Sequence, residues 1–192
     1  MCEFNIISFI KENLCQAIYQ MDEKFFRLPV SQIDGSQKLT HPERAFCYEL
    51  YHQLRNVLGD SFDHDLNGEI SKVNNEFFKT DKKIPDFIIH RAGNMDNNLV
   101  VLEVKGEIVK DGILKDIETL SGFIHNARYQ YGIFILFGQS IGHFVTSLQN
   151  WFSEPIEDHK FYRQNFHHIF LVLAEKSNET PTVLLLSKVF GL

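Results

Sequence analysis

The sequence predicts a single domain of the α/β (α+β) class, with a mixed β-sheet flanked by helices. The chain has 192 residues, of which 44% are hydrophobic and 23% charged, the balance of an ordinary globular protein. Segments with apolar residues at the helical spacing of 3.6 alternate along it with segments of strand-like periodicity. No internal repeat, low-complexity tract or linker divides the chain, so residues 1–192 are expected to fold as one unit.

The first forty residues are predicted to contain one helix and one loop. Apolar residues at helical spacing predict an amphipathic helix over residues 4–22 that packs on the rest of the domain. Residues 25–38 include the turn-forming run Asp34-Gly35-Ser36 and scattered polar groups. This composition favours a loop.

A second helix is predicted to begin near Thr40. Thr40 and Glu43 have the spacing of a capping box, and Pro42 falls in the first turn. The apolar stripe continues to about Leu58, and Gly59-Asp60 is expected to end the helix. Glu49 lies at the border of this stripe.

Residues 68–107 change to a period of two and predict a β-meander. Its clearest strands are Pro85 to His90 and Leu99 to Gly106, separated by a turn-rich segment. An earlier strand is predicted from Ile70 to Phe78, with Glu76 near its end.

The remainder predicts a crossover helix followed by further sheet. Apolar residues from Ile113 to Ile124 have helical spacing, and Tyr131 to Phe137 is a continuous apolar run typical of a buried strand. A strand, helix and strand in this order are expected to be joined by a right-handed, mostly parallel crossover. Another helix over residues 141–152 and strands over residues 169–174 and 182–186 complete the prediction.

Charge and cysteine content limit the classes of function. The formal net charge of −6 excludes a general electrostatic attraction to nucleic acid, so any such partner must be held locally. The three cysteines, at positions 2, 15 and 47, have no paired spacing that would indicate a disulfide framework or a zinc site. Neither a signal peptide nor an apolar stretch of about 20 residues is present, so we expect a cytoplasmic protein with no membrane partner.

Two adjacent predicted strands carry charges that a buried sheet does not normally contain. Alternation along the strand that ends at Gly106 places Val101, Glu103 and Lys105 on one face. Asp86 opens the preceding strand, and pairing of the two strands is expected to bring it close to Glu103. Burying such charges costs several kcal/mol unless they are paired or bound to a metal, so their presence requires an explanation.

The residue types point to metal-assisted phosphodiester chemistry. Two carboxylates beside an ammonium suit Mg²⁺ or Mn²⁺, which prefer oxygen ligands and can activate water against a phosphate. Lys105 would orient the attacking water or add positive charge in the transition state. Glu49 is the candidate third carboxylate, and Glu76 is the alternative.

These residues resemble the PD-(D/E)xK nuclease superfamily. Pro85-Asp86 is followed after 16 residues by Glu103-Val104-Lys105, with a helix before the pair and a helix and strand after it. The similarity covers about residues 42–138 and is to small bacterial and phage-associated members. It implies a restriction-endonuclease-like core, with the N-terminal helix and the C-terminal helix and strands as additions. It further implies Mg²⁺ ligation by Asp86 and Glu103, assistance from Lys105, and Glu49 in the carboxylate position of the first helix.

Other features of the sequence are weaker candidates. The (D/E)-x-K triplet also occurs three times in polar surroundings, beginning at Asp22, Asp81 and Asp158, so the triplet alone is not specific. The alternative for Glu103 and Lys105 is a purely structural role, as a cross-strand salt bridge at a sheet edge. Three further groups of residues are expected to have no role in the site: Lys115 with Asp116 on a solvated helix face, the pair His167-His168, and Trp151 in the core at the end of a helix.

The sequence therefore predicts a metal-dependent nuclease that acts on nucleic acid, with DNA the expected substrate. One alternative is a nuclease-fold protein without activity that works as a binding or regulatory partner. Another is a small α/β binding protein in which the Glu103 and Lys105 pair is structural. The sequence is compatible with a homo-oligomer, and residues 139–192 indicate no function.

Overall fold

The computed structural model describes residues 4–68, 84–91, 97–153 and 163–192, and a six-stranded sheet lies at its centre. The order of strands across this sheet follows their order along the chain. The strands are β3 (Asp65–Gly68), β4 (Phe87–His90), β5 (Asn98–Lys105), β6 (Tyr131–Phe137), β7 (Ile169–Ala174) and β8 (Thr182–Leu185). Strands β3, β4 and β5 pair antiparallel, β5, β6 and β7 pair parallel, and β8 returns antiparallel to β7. The predicted mixed sheet is confirmed.

Helices cover both faces of this sheet, as the α/β prediction requires. The N-terminal helical segment is α1 (Ile6–Ser8), a π-helical stretch (Phe9–Leu14) and α2 (Cys15–Tyr19), followed by α3 (Glu23–Phe26), α4 (Glu43–Leu58), α5 (Lys110–Ala127), α6 (Ile141–Ser153) and α7 (Leu186–Val189). The N-terminal segment and α4 share one hydrophobic core with Val100, Leu102 and Val104 of β5. Helices α5 and α6 share a second core with Val101. Strand β5 is therefore buried on both sides, with the alternation that the sequence predicts.

An aromatic cluster joins the first turns of α4 to the carboxyl end of β6. The rings of Phe46 and Phe137 stack with centroids 3.9 Å apart, and the Phe26 ring meets both edge-on. His41, two residues before α4, contacts the Phe26 carbonyl oxygen through Nδ1 at 2.9 Å. A β-carbon on Gly106 would lie only 2.7 Å from the His41 Cβ. The backbone directly after β5 therefore packs closely against the residues that precede α4. These contacts bring the start of α4 to the carboxyl ends of β5 and β6.

The loop predicted over residues 25–38 is wrong, because a β-hairpin forms there. Strands β1 (Leu28–Ser31) and β2 (Gln37–Thr40) pair antiparallel around a turn in which Gly35 has a φ of +82°. Asp34 Oδ1 accepts hydrogen bonds from both the backbone N and the hydroxyl of Ser36, which stabilises the turn. Both faces of the hairpin are exposed, so its strands lack the apolar alternation by which a strand is recognised.

The predicted capping box is wrong as well. The helix begins at Glu43 with Pro42 at the N-cap, and no side chain caps it. Thr40 instead ends β2, where its hydroxyl donates to the Leu28 carbonyl oxygen at 3.2 Å. The predicted end of the helix is confirmed, since α4 stops at Leu58 and Gly59 has a φ of +64°.

Most of the remaining elements agree with their predicted positions. The crossover helix predicted from Ile113 to Ile124, the buried strand after it and the parallel pairing between β5 and β6 are confirmed. The last strand ends one residue early, because Leu186 begins α7. The strand predicted from Ile70 to Phe78, and Glu76 with it, lie outside the described residues.

Two further observations concern membranes and thiols. Within the described ranges, no helix combines the length and apolar character needed to cross a bilayer. Among the described residues, the buried Cys15 and the half-buried Cys47 form no disulfide, and Cys2 lies outside the described residues.

Candidate active site

Charged side chains from four elements converge near the carboxyl end of β5. They are Glu43 at the start of α4, Asp86 directly before β4, Glu103 and Lys105 on β5, and Asp116 in the second turn of α5. The sequence predicts three of these five residues as site residues. The structure brings those three together and adds Glu43 and Asp116.

Asp86 and Glu103 form a carboxyl pair across the junction of β4 and β5. Phe87 pairs with Leu102, and this register, continued by one residue, places Asp86 opposite Glu103. Asp86 Oδ2 accepts a hydrogen bond from the Val104 backbone N at 2.7 Å. The Glu103 carboxyl lies close enough to Asp86 for the charge of Asp86 to raise its pKa. The two side chains are therefore held side by side at the sheet by backbone geometry.

Burial makes both members of this pair weak acids. The pKa of Asp86 rises to about 6, chiefly because the group is removed from water, although the Val104 hydrogen bond acts in the opposite direction. The Glu43 carboxylate raises this pKa further. Glu103 is only 7% exposed, and its pKa lies well above the usual value because of burial and then the negative charge of Asp86. Ionising both groups together requires additional positive charge at the pair.

Lys105 carries the positive charge of the cluster and is held by two other acids. Its Nζ lies 3.1 Å from Asp116 Oδ2 and 3.4 Å from Glu43 Oε1. Burial acts to lower the pKa of the Lys105 ammonium, but the carboxylates of Asp116 and Glu43 outweigh that effect and raise it. Lys105 is therefore protonated at neutral pH and anchored between α4 and α5.

Asp116 contradicts the expectation of a solvated helix face. Its side chain is only 10% exposed and faces Lys105, whereas the neighbouring Lys115 is exposed as expected. Burial raises the pKa of Asp116, and the ammonium of Lys105 acts against that rise. Asp116 Oδ2 has no hydrogen-bond partner among the described residues, so its burial is compensated by the charge of Lys105.

On α4, the acid that reaches the cluster is Glu43. Glu49 is half-buried, and its Oε1 accepts a hydrogen bond from Gln53 Nε2 at 2.6 Å, one turn further along the same helix. The helical spacing explains the difference: Glu43 precedes the buried Phe46 by three residues and Leu50 by seven, so it shares their face. Glu49 lies about 120° away from Glu43 around the helix axis. This spacing is the signal that could have identified Glu43.

The arrangement suits a divalent cation held by few protein ligands. Among the described residues, no three His, Cys, Asp or Glu side chains already form a group that could hold a metal ion. Asp86 and Glu103 nevertheless offer two adjacent carboxyl groups whose pKa values are raised, chiefly by burial. Mg²⁺ in proteins is commonly held by one or two carboxylates, with water and substrate phosphate completing its octahedron. The residues present therefore fit such an ion.

The histidine pair and the tryptophan lie away from this cluster. His167 and His168 are exposed in a 3₁₀ turn (Phe166–His168) before β7, rather than on the strand itself. Trp151 is half-buried near the end of α6 and packs against the second core, as expected.

Comparison of the chain with known protein families, curated proteins and solved structures finds no match.

Proposed function

We propose that the protein is a Mg²⁺- or Mn²⁺-dependent nuclease of the PD-(D/E)xK type that hydrolyses phosphodiester bonds of nucleic acid. The observation that carries the proposal is the buried Asp86 and Glu103 carboxyl pair beside the Lys105 ammonium. DNA is the expected substrate on the strength of the resemblance. A restriction-endonuclease-like core belongs to the same proposal and is supported by the mixed sheet in which α5 connects the parallel strands β5 and β6.

The charge balance of the cluster supports a metal ion. Two buried carboxylates cannot both ionise without compensation, because a charge removed from water is strongly disfavoured unless it is paired. The ammonium of Lys105 lowers the pKa of both carboxyl groups, but it lies within ion-pair distance of Asp116 and Glu43. A divalent cation at Asp86 and Glu103 would supply the missing charge.

Each residue then has a separate task. Asp86 and Glu103 would hold the cation, which lowers the pKa of water and stabilises negative charge on phosphate oxygens. Lys105 would orient the attacking water and stabilise the charge that develops as the new bond to phosphorus forms and the bond to the leaving oxygen breaks. Asp116 and Glu43 position Lys105, and Asp86 is itself positioned by the Val104 backbone N. A rigid lysine between two helices suits this role, since small displacements of catalytic groups are costly.

A cytoplasmic location is part of the proposal. Cys15 and Cys47 form no disulfide within the described part of the chain, and reduced thiols are typical of reducing compartments.

The test is cleavage of labelled single-stranded DNA, duplex DNA and RNA with Mg²⁺, with Mn²⁺ and with EDTA. We expect metal-dependent cleavage that falls at least 100-fold in Glu103→Gln and in Lys105→Met. Glu12→Gln and Lys176→Met are matched controls, because these residues are exposed and distant in sequence from the cluster. Circular dichroism establishes that each variant folds.

Two results would contradict the nuclease proposal. One is cleavage that continues in EDTA, and the other is a Glu103→Gln variant as active as the wild type. Binding of nucleic acid without cleavage under any metal would instead support the binding or regulatory alternative.

A further inference from the structure

A cleft of about 360 Å³ lies between α4 and the strands β3 and β4, and Asp86 forms part of its wall. The other residues that bear on its chemistry are Tyr48, Tyr51, Asn67 and Phe87. Its volume is within the range of small-molecule binding sites. Because Asp86 belongs both to this wall and to the carboxyl pair, a molecule in the cleft would lie next to the proposed reaction centre.

Aromatic rings form the surface of this cleft. Tyr51 and Phe87 lie nearly parallel, with ring centroids 6.3 Å apart and planes 19° apart. The Tyr51 hydroxyl donates to the Leu66 carbonyl oxygen at 3.3 Å, which fixes the ring. Tyr48 is three residues earlier on α4, hence on the same side of the helix, and is 64% exposed. The Tyr51 ring is therefore held in place, and the Tyr48 ring is exposed on the same side of the helix.

The charge of the lining selects the kind of group that can enter. No lysine, arginine or histidine is among the described residues that line the cleft, and its single charged member is Asp86. A phosphate would find no cation among these residues. A neutral planar group with N–H donors would find aromatic faces and polar groups of Asp86 and Asn67. A nucleobase has this chemistry.

We propose that the cleft binds one unpaired nucleobase of the substrate and that the protein therefore acts on single-stranded or locally unpaired nucleic acid. This inference rests on the proposed nuclease function, which it deepens by naming the substrate class. In a duplex, base faces are covered by neighbours and base edges are paired, so a base must leave the stack to enter. Stacking on tyrosine is favourable for every base, so binding would depend weakly on sequence.

The test compares binding of a fluorescein-labelled 12-nucleotide single strand with binding of its blunt duplex, measured by fluorescence anisotropy in EDTA. Metal is omitted so that no cleavage occurs. We expect tighter binding of the single strand and an affinity loss of about tenfold in Tyr48→Ala, the effect of losing one stacked base. Tyr48→Phe keeps the ring and should bind as the wild type does. Tyr19→Ala is the control, because Tyr19 is also exposed but does not line the cleft.

A second measurement places the base directly. A single strand that contains 5-iododeoxyuridine should crosslink under ultraviolet light to the peptide that carries Tyr48 and Tyr51. Mass spectrometry identifies the crosslinked peptide, and Tyr48→Ala should reduce its yield.

The outcomes separate this inference from the nuclease proposal. Metal-dependent cleavage with unchanged single-strand binding in Tyr48→Ala would overturn the base cleft and leave the nuclease standing. Weaker binding in Tyr48→Ala without any cleavage would keep the cleft and overturn the nuclease. Failure to bind either probe, or equal binding of both, would overturn the inference. So would a concentration-dependent dimer that Tyr48→Ala abolishes, since the occupant would then be a second copy of the chain.

Discussion

The ammonium of Lys105 lies 3.1 Å from Asp116 Oδ2, which joins the last residue of β5 to the second turn of α5. Glu43 approaches the same ammonium from α4 at 3.4 Å. Since α4 and α5 cover opposite faces of the sheet, Lys105 connects the two helical layers at the carboxyl end of β5. Neither of the remaining acids, Asp86 and Glu103, lies at ion-pair distance from this cation, and the charge of Asp86 raises the pKa of Glu103.

Asp116→Asn tests the link between α5 and Lys105. Removing this carboxylate should lower the pKa of Lys105, because Asp116 has the largest effect of the three acids that raise it. The basic limb of the pH profile of kcat should therefore move to lower pH, and kcat should fall about tenfold as Lys105 loses a partner. Asp116→Glu should restore much of the activity. Asp111→Asn, an exposed acid in the first turn of the same helix, should leave the profile in place.

An unchanged basic limb in Asp116→Asn would mean that Lys105 is not the group whose titration controls the rate. A variant that simply destabilised the fold would reduce the active fraction without moving the limb. A shifted limb therefore reports a change at Lys105 itself and cannot result from a loss of folded protein.

Glu43→Gln and Glu49→Gln distinguish the acid found at the cluster from the acid that the resemblance implies. Glu43 contacts Lys105 and raises the pKa of Asp86, so its loss should lower both the pKa of Lys105 and that of Asp86. We expect Glu43→Gln to reduce cleavage at least tenfold and to shift the acidic limb of the profile to lower pH. The loss in Glu49→Gln should be much smaller, because Glu49 bonds to Gln53 on its own helix. The reverse order of effects, measured as kcat/KM at several pH values, would restore Glu49 as the relevant acid.

The strands that carry the site could be predicted from the sequence because their signals are local. The continuous apolar run of β5 is interrupted only at its end by Glu103 and Lys105, and Pro85-Asp86 marks the start of β4. Alternation then determines which side chains share a face, and β-pairing brings Asp86 to Glu103. Nothing in this inference requires knowledge of contacts between distant elements.

The helical acids could not be predicted in the same way, because their roles depend on tertiary packing. Glu43 has the spacing of a capping residue, and only the position of α4 over the end of β5 turns it towards Lys105. Asp116 lies on the polar side of an amphipathic helix, where solvent is the usual neighbour. The hairpin of β1 and β2 was missed for another reason, since neither of its faces packs against a core.

Asp86→Asn tests whether the carboxyl pair carries uncompensated negative charge in the absence of metal. The folded-state pKa of Asp86, about 6, is above the ordinary aspartate value of 3.8, so protonation of this carboxyl favours the folded state. Its contribution to stability is fully present at low pH and is lost as the pH rises through about 6. Relative to an asparagine, which keeps an acceptor for the Val104 backbone N, the wild type should therefore become less stable with increasing pH. The difference should grow by roughly 1 to 2 kcal/mol between pH 5 and pH 8 in EDTA.

Urea denaturation at several pH values measures this difference, and added Mg²⁺ supplies the second arm of the experiment. A cation bound to Asp86 and Glu103 stabilises the folded state in proportion to its occupancy, so the wild type should gain stability at pH 8 and lose its pH dependence. The Asp86→Asn variant should gain little. If Mg²⁺ stabilised both proteins equally, the ion would be binding elsewhere. If the two proteins instead kept a constant difference from pH 5 to pH 8 in EDTA, the pair would carry no unpaired charge for a metal to neutralise, and the physical reason for placing a cation there would be lost.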